Sequence, residues 1–246
     1  MTRPRRRTIA AVGLPAAFAV GCLPSARIVT RLMGGPDIEI AGDGKPGAAN
    51  VARTLGWGPG AATLIADLVK GGVPAAVGWQ CGAGPDLTRA LAVAPVVGHV
   101  GVVGGRGAAT ALGAAFAIDP AATAIILPVV VGGGFARRAA LGVMAAALGL
   151  PLAGLALGHR RKAAWCALLP AILAYARLRG DDGASAPLTA RVAWERFWYD
   201  REPRATVLSA DVGADCDGGA AETGPETRRR VAGRTPDDIS ADEETR

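Results

Sequence analysis

The chain has 246 residues, of which 35 are Gly, 50% are hydrophobic and only 4% are aromatic. Gly at about twice its usual share, with so few rings, excludes a collagen, a coiled coil and a disulfide miniprotein and argues against an ordinary soluble globule. Small residues on apolar helices are instead what lets backbones approach closely in lipid.

The net charge of +6 hides a division: residues 1–179 hold 18 Lys/Arg against six acids, and residues 180–246 hold nine Arg against 15 acids. A boundary is expected near Arg179, giving a membrane domain over 1–179 and a polar tail over 180–246. Residues 203–246 lack the apolar surface to offset the entropy of ordering and read as disordered. The aromatic stretch VAWERFWY at 192–199 either caps the last helix, the favoured reading, or lies on a membrane surface.

In chain order, apolar runs fall at about 8–26, 60–79, 91–103, 108–118, 121–135, 139–157 and 163–178. Several reach the ~20 residues that cross a bilayer core. The runs 91–103 and 108–118 are short and read as half-spans or buried helices. The fold class expected is all-α, a polytopic membrane helical bundle of about six to seven segments with a disordered C-terminal tail. Arg3, Arg5, Arg6 and Arg7 before Ile9–Val20 and Gly21-Cys22 also resemble a secretory or lipoprotein signal, but the later segments favour a first membrane helix. Basic clusters at the N-terminus, in 27–59, at Arg137-Arg138 and at Arg160–Lys162 leave the orientation undecided. Cys22, Cys81, Cys166 and Cys216 lack metal-ligand spacing.

Gly42-Asp-Gly44-Lys-Pro-Gly47 satisfies the dinucleotide-binding pattern G-x-G-x-x-G, with Asp67 downstream, but no strand precedes it and no βαβ rhythm surrounds it. Its physical content remains: glycine turns bring backbone N–H groups close to an anion, and neighbouring cations add charge. One such loop runs from Gly42 to Arg53 with Lys45 and Asn50. A second runs from Gly98-His99 through Gly104-Gly105-Arg106-Gly107 to Thr110. Between them Asp67 and Lys70 share a helical face, and ionisable groups inside a membrane run are functional candidates.

These blocks resemble the bacterial acyl-phosphate:glycerol-3-phosphate acyltransferase family, the PlsY family. The resemblance covers roughly residues 16–145 through Gly21–Ser25, Gly42–Arg53, Asp67–Gly71, and Gly98-His99 with Gly104–Thr110. It implies transfer of a fatty acyl group from acyl phosphate to sn-glycerol 3-phosphate, giving lysophosphatidate and phosphate in phospholipid biosynthesis, without coenzyme A or metal. The partners implied are these two substrates and membrane lipid, with no nucleic acid, and the location implied is the inner (plasma) membrane. Carried over residue by residue, His99, Arg53 and Arg106 are the expected catalytic set. Gly42, Gly44, Lys45, Asn50, Lys70, Gly104, Gly105 and Thr110 are expected to bind phosphate. The pattern departs at Asp43 and Lys45, where the family has Ser and Asn, and at Arg106, where it has Lys. The link from His99 to Gly104 is shorter than the family's, and the later blocks near Gly134–Arg137 and Tyr175–Arg179 have lost family side chains. A catalytically degenerate member that binds anionic lipid or a partner is therefore the alternative, and a small transporter is a third.

Overall fold

The computed structural model describes residues 3–179 and 188–200. Every regular element among them is helical: α1 Arg3–Gly21, α2 Ser25–Leu32, α3 Ala48–Leu55, α4 Trp57–Gln80, α5 Pro85–Gly98 with a π-helical turn His99–Val103, α6 Ala108–Ile118, α7 Pro120–Phe135, α8 Ala139–Ala156, α9 Arg160–Cys166, α10 Leu168–Leu178 and α11 Ala190–Tyr199. The described residues cluster as one compact unit. The expected disorder of 203–246 lies outside the described residues.

Sequence punctuation sets the boundaries. Pro24 separates α1 from α2, which are bent by 48° at the break. Pro85 and Pro120 stand at the first positions of α5 and α7, where a missing N–H costs nothing. The Asp119 carboxylate caps α7 by accepting the Ala122 N–H, and Thr189 caps α11 in the same way.

Trp57–Gln80, Pro85–Val103 and Ala139–Ala156 are each long and apolar enough to cross a bilayer, and the bent α1–α2 pair makes a fourth candidate. Ile65, Val69, Val73 and Val77 on α4, Ile125 and Val129 on α7, and Leu152 and Leu155 on α8 are all exposed. Apolar surface turned outward along satisfied helices suits lipid. The run at 91–103 proves longer than its hydropathy suggested. The helix begins at Pro85, and its first turn carries Asp86 and Arg89, which pair at 2.9 Å and extend the passage into polar surroundings.

The alternation of helix ends gives the topology. Arg6 packs on Gly84 in the α4–α5 turn, Arg161 faces Asp86, and His159 and Lys162 reach Asp119 in the α6–α7 turn. These segments share one end of the bundle. The loop before α3, the turn before α6, the α7–α8 turn and the end of α11 line one cavity at the other end.

Packing explains the glycines. A Cβ at Gly21 would run into Pro95 of α5, one at Gly71 into the Thr110 carbonyl, and one at Gly113 into the Leu68 carbonyl. The helices α1 and α5, and α4 and α6, therefore touch at backbone distance, and buried alanines line these contacts, among them Ala75, Ala92 and Ala114. The segment 192–199 caps the bundle, since Phe197 and Trp198 pack against the main core.

Candidate functional site

A cavity of about 780 Å³ opens at the loop-bearing end. Its mouth is lined by Asp43, Lys45, Asn50, Arg53, His99, Arg106, Arg137, Arg177 and Asp200. Its floor runs along Ile126, Val130, Val143, Ala147, Leu150, Leu169 and Leu173, from helices α7, α8 and α10. A charged mouth continuous with an apolar trench is the shape an amphiphile needs.

The first glycine loop is built around Asn50, which is buried. Its amide nitrogen donates to the carbonyls of Ile38 (3.1 Å) and Ala41 (2.9 Å), and its oxygen accepts the Asp43 N–H (3.1 Å). Gly42 has φ +65° and lies so close to the Asn50 oxygen that a side chain would displace it. Asn50 lines the cavity, yet its amide bonds are spent organising the loop that presents Lys45 and Arg53. Arg53 pairs with Asp43, so the acid that departs from the family pattern neutralises a cation rather than standing bare.

The second loop turns at Gly104 (φ +78°) and Gly107 (φ +72°). Gly105 presses against the His99 ring, and a Cβ there would strike Nε2. His99 lies on the cavity wall with its Nδ1 4.0 Å from Asp67 Oδ1. Arg106 Nη1 donates to the Ala176 carbonyl at 2.5 Å, and its Nε lies 2.7 Å from Asp200 Oδ1.

The sequence expectation thus divides. Lys45, Asn50, Arg53, His99 and Arg106 meet at one cavity. Gly42, Gly44, Lys70, Gly104, Gly105 and Thr110 do not line it. Their places have physical reasons: Gly42 and Gly44 (φ +70°) supply left-handed turns that other residues adopt only under strain. Thr110 is buried against α4, and Gly104 and Gly105 shape the loop around His99. Lys70 is 4% exposed, and its ammonium is held by Asp67 Oδ1 (2.7 Å), the Leu23 carbonyl (3.0 Å) and Ser25 Oγ (3.2 Å). It clamps the α1–α2 break to α4 and fixes Asp67, which does line the cavity.

Arg177, Arg137 and Asp200 are among the charged wall residues outside the expected set. Arg177, 4% exposed, donates to the carbonyls of Phe197 (2.6 Å) and Ala140 (2.9 Å); a cation inside the apolar run 163–178 was the available signal. Arg137 adopts φ +56° at the α7–α8 turn. Asp200 comes from beyond the membrane helices, and no local pattern marks it.

The family model described as glycerol-3-phosphate acyltransferase matches residues 11–181. A glycerol-3-phosphate acyltransferase of Methylorubrum populi is 36% identical over 162 residues, covering 63% of this chain and 79% of the relative. One from Escherichia coli is 41% identical over 103 residues, 40% of this chain and 50% of the relative. The crystal structure of PlsY, an integral membrane glycerol 3-phosphate acyltransferase, in its glycerol 3-phosphate form superposes with a TM-score of 0.63 at 26% identity, covering 68% of this chain and 88% of that one. Its lysophosphatidic acid form gives 0.62, also at 26% identity, over 69% of this chain and 88% of that one.

Proposed function

Because the chain belongs to the glycerol-3-phosphate acyltransferase family, we propose that it transfers a fatty acyl group from acyl phosphate to glycerol 3-phosphate. The observation that carries this reading is the single cavity that joins a cationic mouth to an apolar trench. Both substrates bring phosphate, and one brings a long hydrocarbon chain, so one enclosure receives all three parts.

In the reaction, the glycerol hydroxyl oxygen attacks the acyl carbonyl carbon, the bond from that carbon to the phosphate oxygen breaks, and phosphate leaves with the electron pair. The hydroxyl proton passes to the departing phosphate or to His99, the imidazole on the cavity wall. The donor already carries a good leaving group, so the protein chiefly positions the reactants and offsets developing charge. In this reading Arg53, Arg106 and Lys45 hold phosphate oxygens, and the apolar floor of α7, α8 and α10 accepts the chain. The glycines expected to bind phosphate act by shaping these loops, and Lys70 by fixing Asp67.

We further propose that the cavity end faces the cytoplasm and that the membrane is the inner (plasma) membrane. The cavity end carries Arg31, Lys45, Arg53, Arg106, Arg137, Arg138, Arg177 and Arg179. The opposite end carries Arg3, Arg5, Arg6, Arg7, Arg89 and Arg160–Lys162, so the basic residues are nearly balanced between the two ends, and the direction rests on the cavity receiving glycerol 3-phosphate from the cytoplasm.

The test is direct. Purified chain given radiolabelled glycerol 3-phosphate and palmitoyl phosphate should form lysophosphatidate, and Arg53→Ala and Arg106→Ala should each lower turnover by about 10²–10³-fold. No product above a vector control overturns the reading, and binding to anionic liposomes without turnover selects the lipid-binding alternative.

A further inference from the structure

Asp200 closes α11 at φ +52°, the left-handed conformation that Asp and Asn tolerate better than most residues. That turn aims both of its oxygen-bearing groups into the cavity mouth. Asp200 Oδ1 lies 3.1 Å from Lys45 Nζ and 2.7 Å from Arg106 Nε, and the Asp200 carbonyl accepts from Lys45 Nζ at 2.7 Å. One carboxylate oxygen set between an ammonium and a guanidinium stands where an anionic phosphate oxygen would be attracted.

The element that delivers it is anchored. Arg177 donates to the Phe197 carbonyl at 2.6 Å, and Arg196 donates to the Leu178 carbonyl at 3.2 Å. Phe197 and Trp198 pack on the bundle core and on each other edge to face, with ring centroids 5.0 Å apart. A carboxylate tethered this way competes at an effective concentration of roughly millimolar or more. Arg53 is meanwhile paired with Asp43, so each of these mouth cations meets an acid of the chain itself.

We propose that Asp200 is an internal anion seated in the Lys45–Arg106 phosphate subsite, which a phosphomonoester must displace, and that it thereby sets the apparent phosphate affinity of the enzyme. The inference rests on the proposed acyltransferase reading for the identity of the ligand, but its binding test does not require turnover. If the seated form leaves only a fraction of molecules open, the apparent dissociation constant rises by the reciprocal of that fraction.

The experiment compares the full chain with Asp200→Asn, which keeps the shape and removes the charge, and with Asp200→Gly, which removes the carboxylate while suiting the left-handed backbone. Calorimetric titration in detergent with glycerol 3-phosphate, palmitoyl phosphate and inorganic phosphate, each alone, reads binding in the absence of acyl transfer. Both variants should bind at least one phosphomonoester about three- to ten-fold more tightly. In steady state the KM for that same compound should fall with kcat undiminished. The substrate whose affinity changes is the one whose phosphate occupies the Lys45–Arg106 subsite. Unchanged or weaker binding in a folded Asn or Gly variant overturns the proposal, because it makes Asp200 a clip that preorganises the two cations. Tighter phosphate binding without product in any variant leaves this inference standing and overturns the acyltransferase reading.

Discussion

Among the described residues two carboxylates are withdrawn from water, Asp67 and Asp119, and each is met by a lysine and by one of the chain's two histidines. Asp67 is 2.7 Å from Lys70 and 4.0 Å from His99. Asp119 is 2.7 Å from His159 and 3.6 Å from Lys162. The residue types are the same and the settings are opposite. The Asp67 group is buried throughout, and Asp67 and His99 line the cavity. Asp119 is spent as the cap of α7, while His159 and Lys162 are a third exposed and face the far end of the bundle. Charge inside a helical bundle thus marks function only where it borders a space for a ligand; elsewhere the same trio ties one turn to another.

The largest effect that would break this comparison is expected at Lys70. Lys70→Met leaves the Asp67 carboxylate buried without its closest partner, and the loss of an ion-pair partner of this kind costs about 3–5 kcal/mol. Replacing both charges, in Asp67→Asn with Lys70→Met, should recover most of that stability while acyl transfer stays low. Lys162→Met should cost far less, since His159 still holds Asp119 and Lys162 reaches solvent. Thermal unfolding of the variants in detergent reads the difference, and equal losses at Lys70 and Lys162 would erase the distinction between the two groups.

Much of this arrangement was legible in the sequence, for a physical reason. Apolar runs report lipid burial directly, so the runs at 60–79, 121–135 and 139–157 lie within α4, α7 and α8 with boundaries shifted by a few residues. The glycine loops were legible because glycine at a left-handed turn or a close approach leaves a local mark, as at Gly42 and Gly107. What was not legible depends on long-range geometry. Asn50 reads as a ligand in a phosphate loop, but its amide is saturated by carbonyls that only the folded loop brings near. Lys70 reads as a cavity cation, but the bend at Pro24 turns the Leu23 carbonyl and the Ser25 hydroxyl toward it. Lys45 and Asp200 are 155 residues apart, and no periodicity connects them.

A middle-sized effect sharpens the comparison through packing. The Asp67 group sits where α4 and α6 touch at backbone distance, with Gly113 against the Leu68 carbonyl and Gly71 against the Thr110 carbonyl. Gly113→Ala should force those helices apart and cost about 1–3 kcal/mol by overpacking. It should also lower kcat, because the wall carrying Asp67 moves away from the loop carrying Arg106. Gly158→Ala, with nothing near its Cβ but a φ of +77°, should lower stability through backbone strain alone and leave kcat unchanged. A Gly113→Ala protein with unaltered turnover would show that the close α4–α6 contact serves stability only.

The smallest effect is expected at the second carboxylate. Asp119→Ala removes the cap of α7 and the partner of His159 and Lys162, but those two side chains reach water and keep their solvation. The loss should therefore be near that of an N-cap alone, about 1 kcal/mol, seen as a lowered unfolding midpoint with the KM values of both substrates unchanged. Asp119→Asn retains an acceptor for the Ala122 N–H and should recover part of the loss, which separates capping from charge. A change in either KM on removing Asp119 would mean that the two ends of the bundle are coupled, and the trio at the far end would then have to be counted as part of the catalytic apparatus.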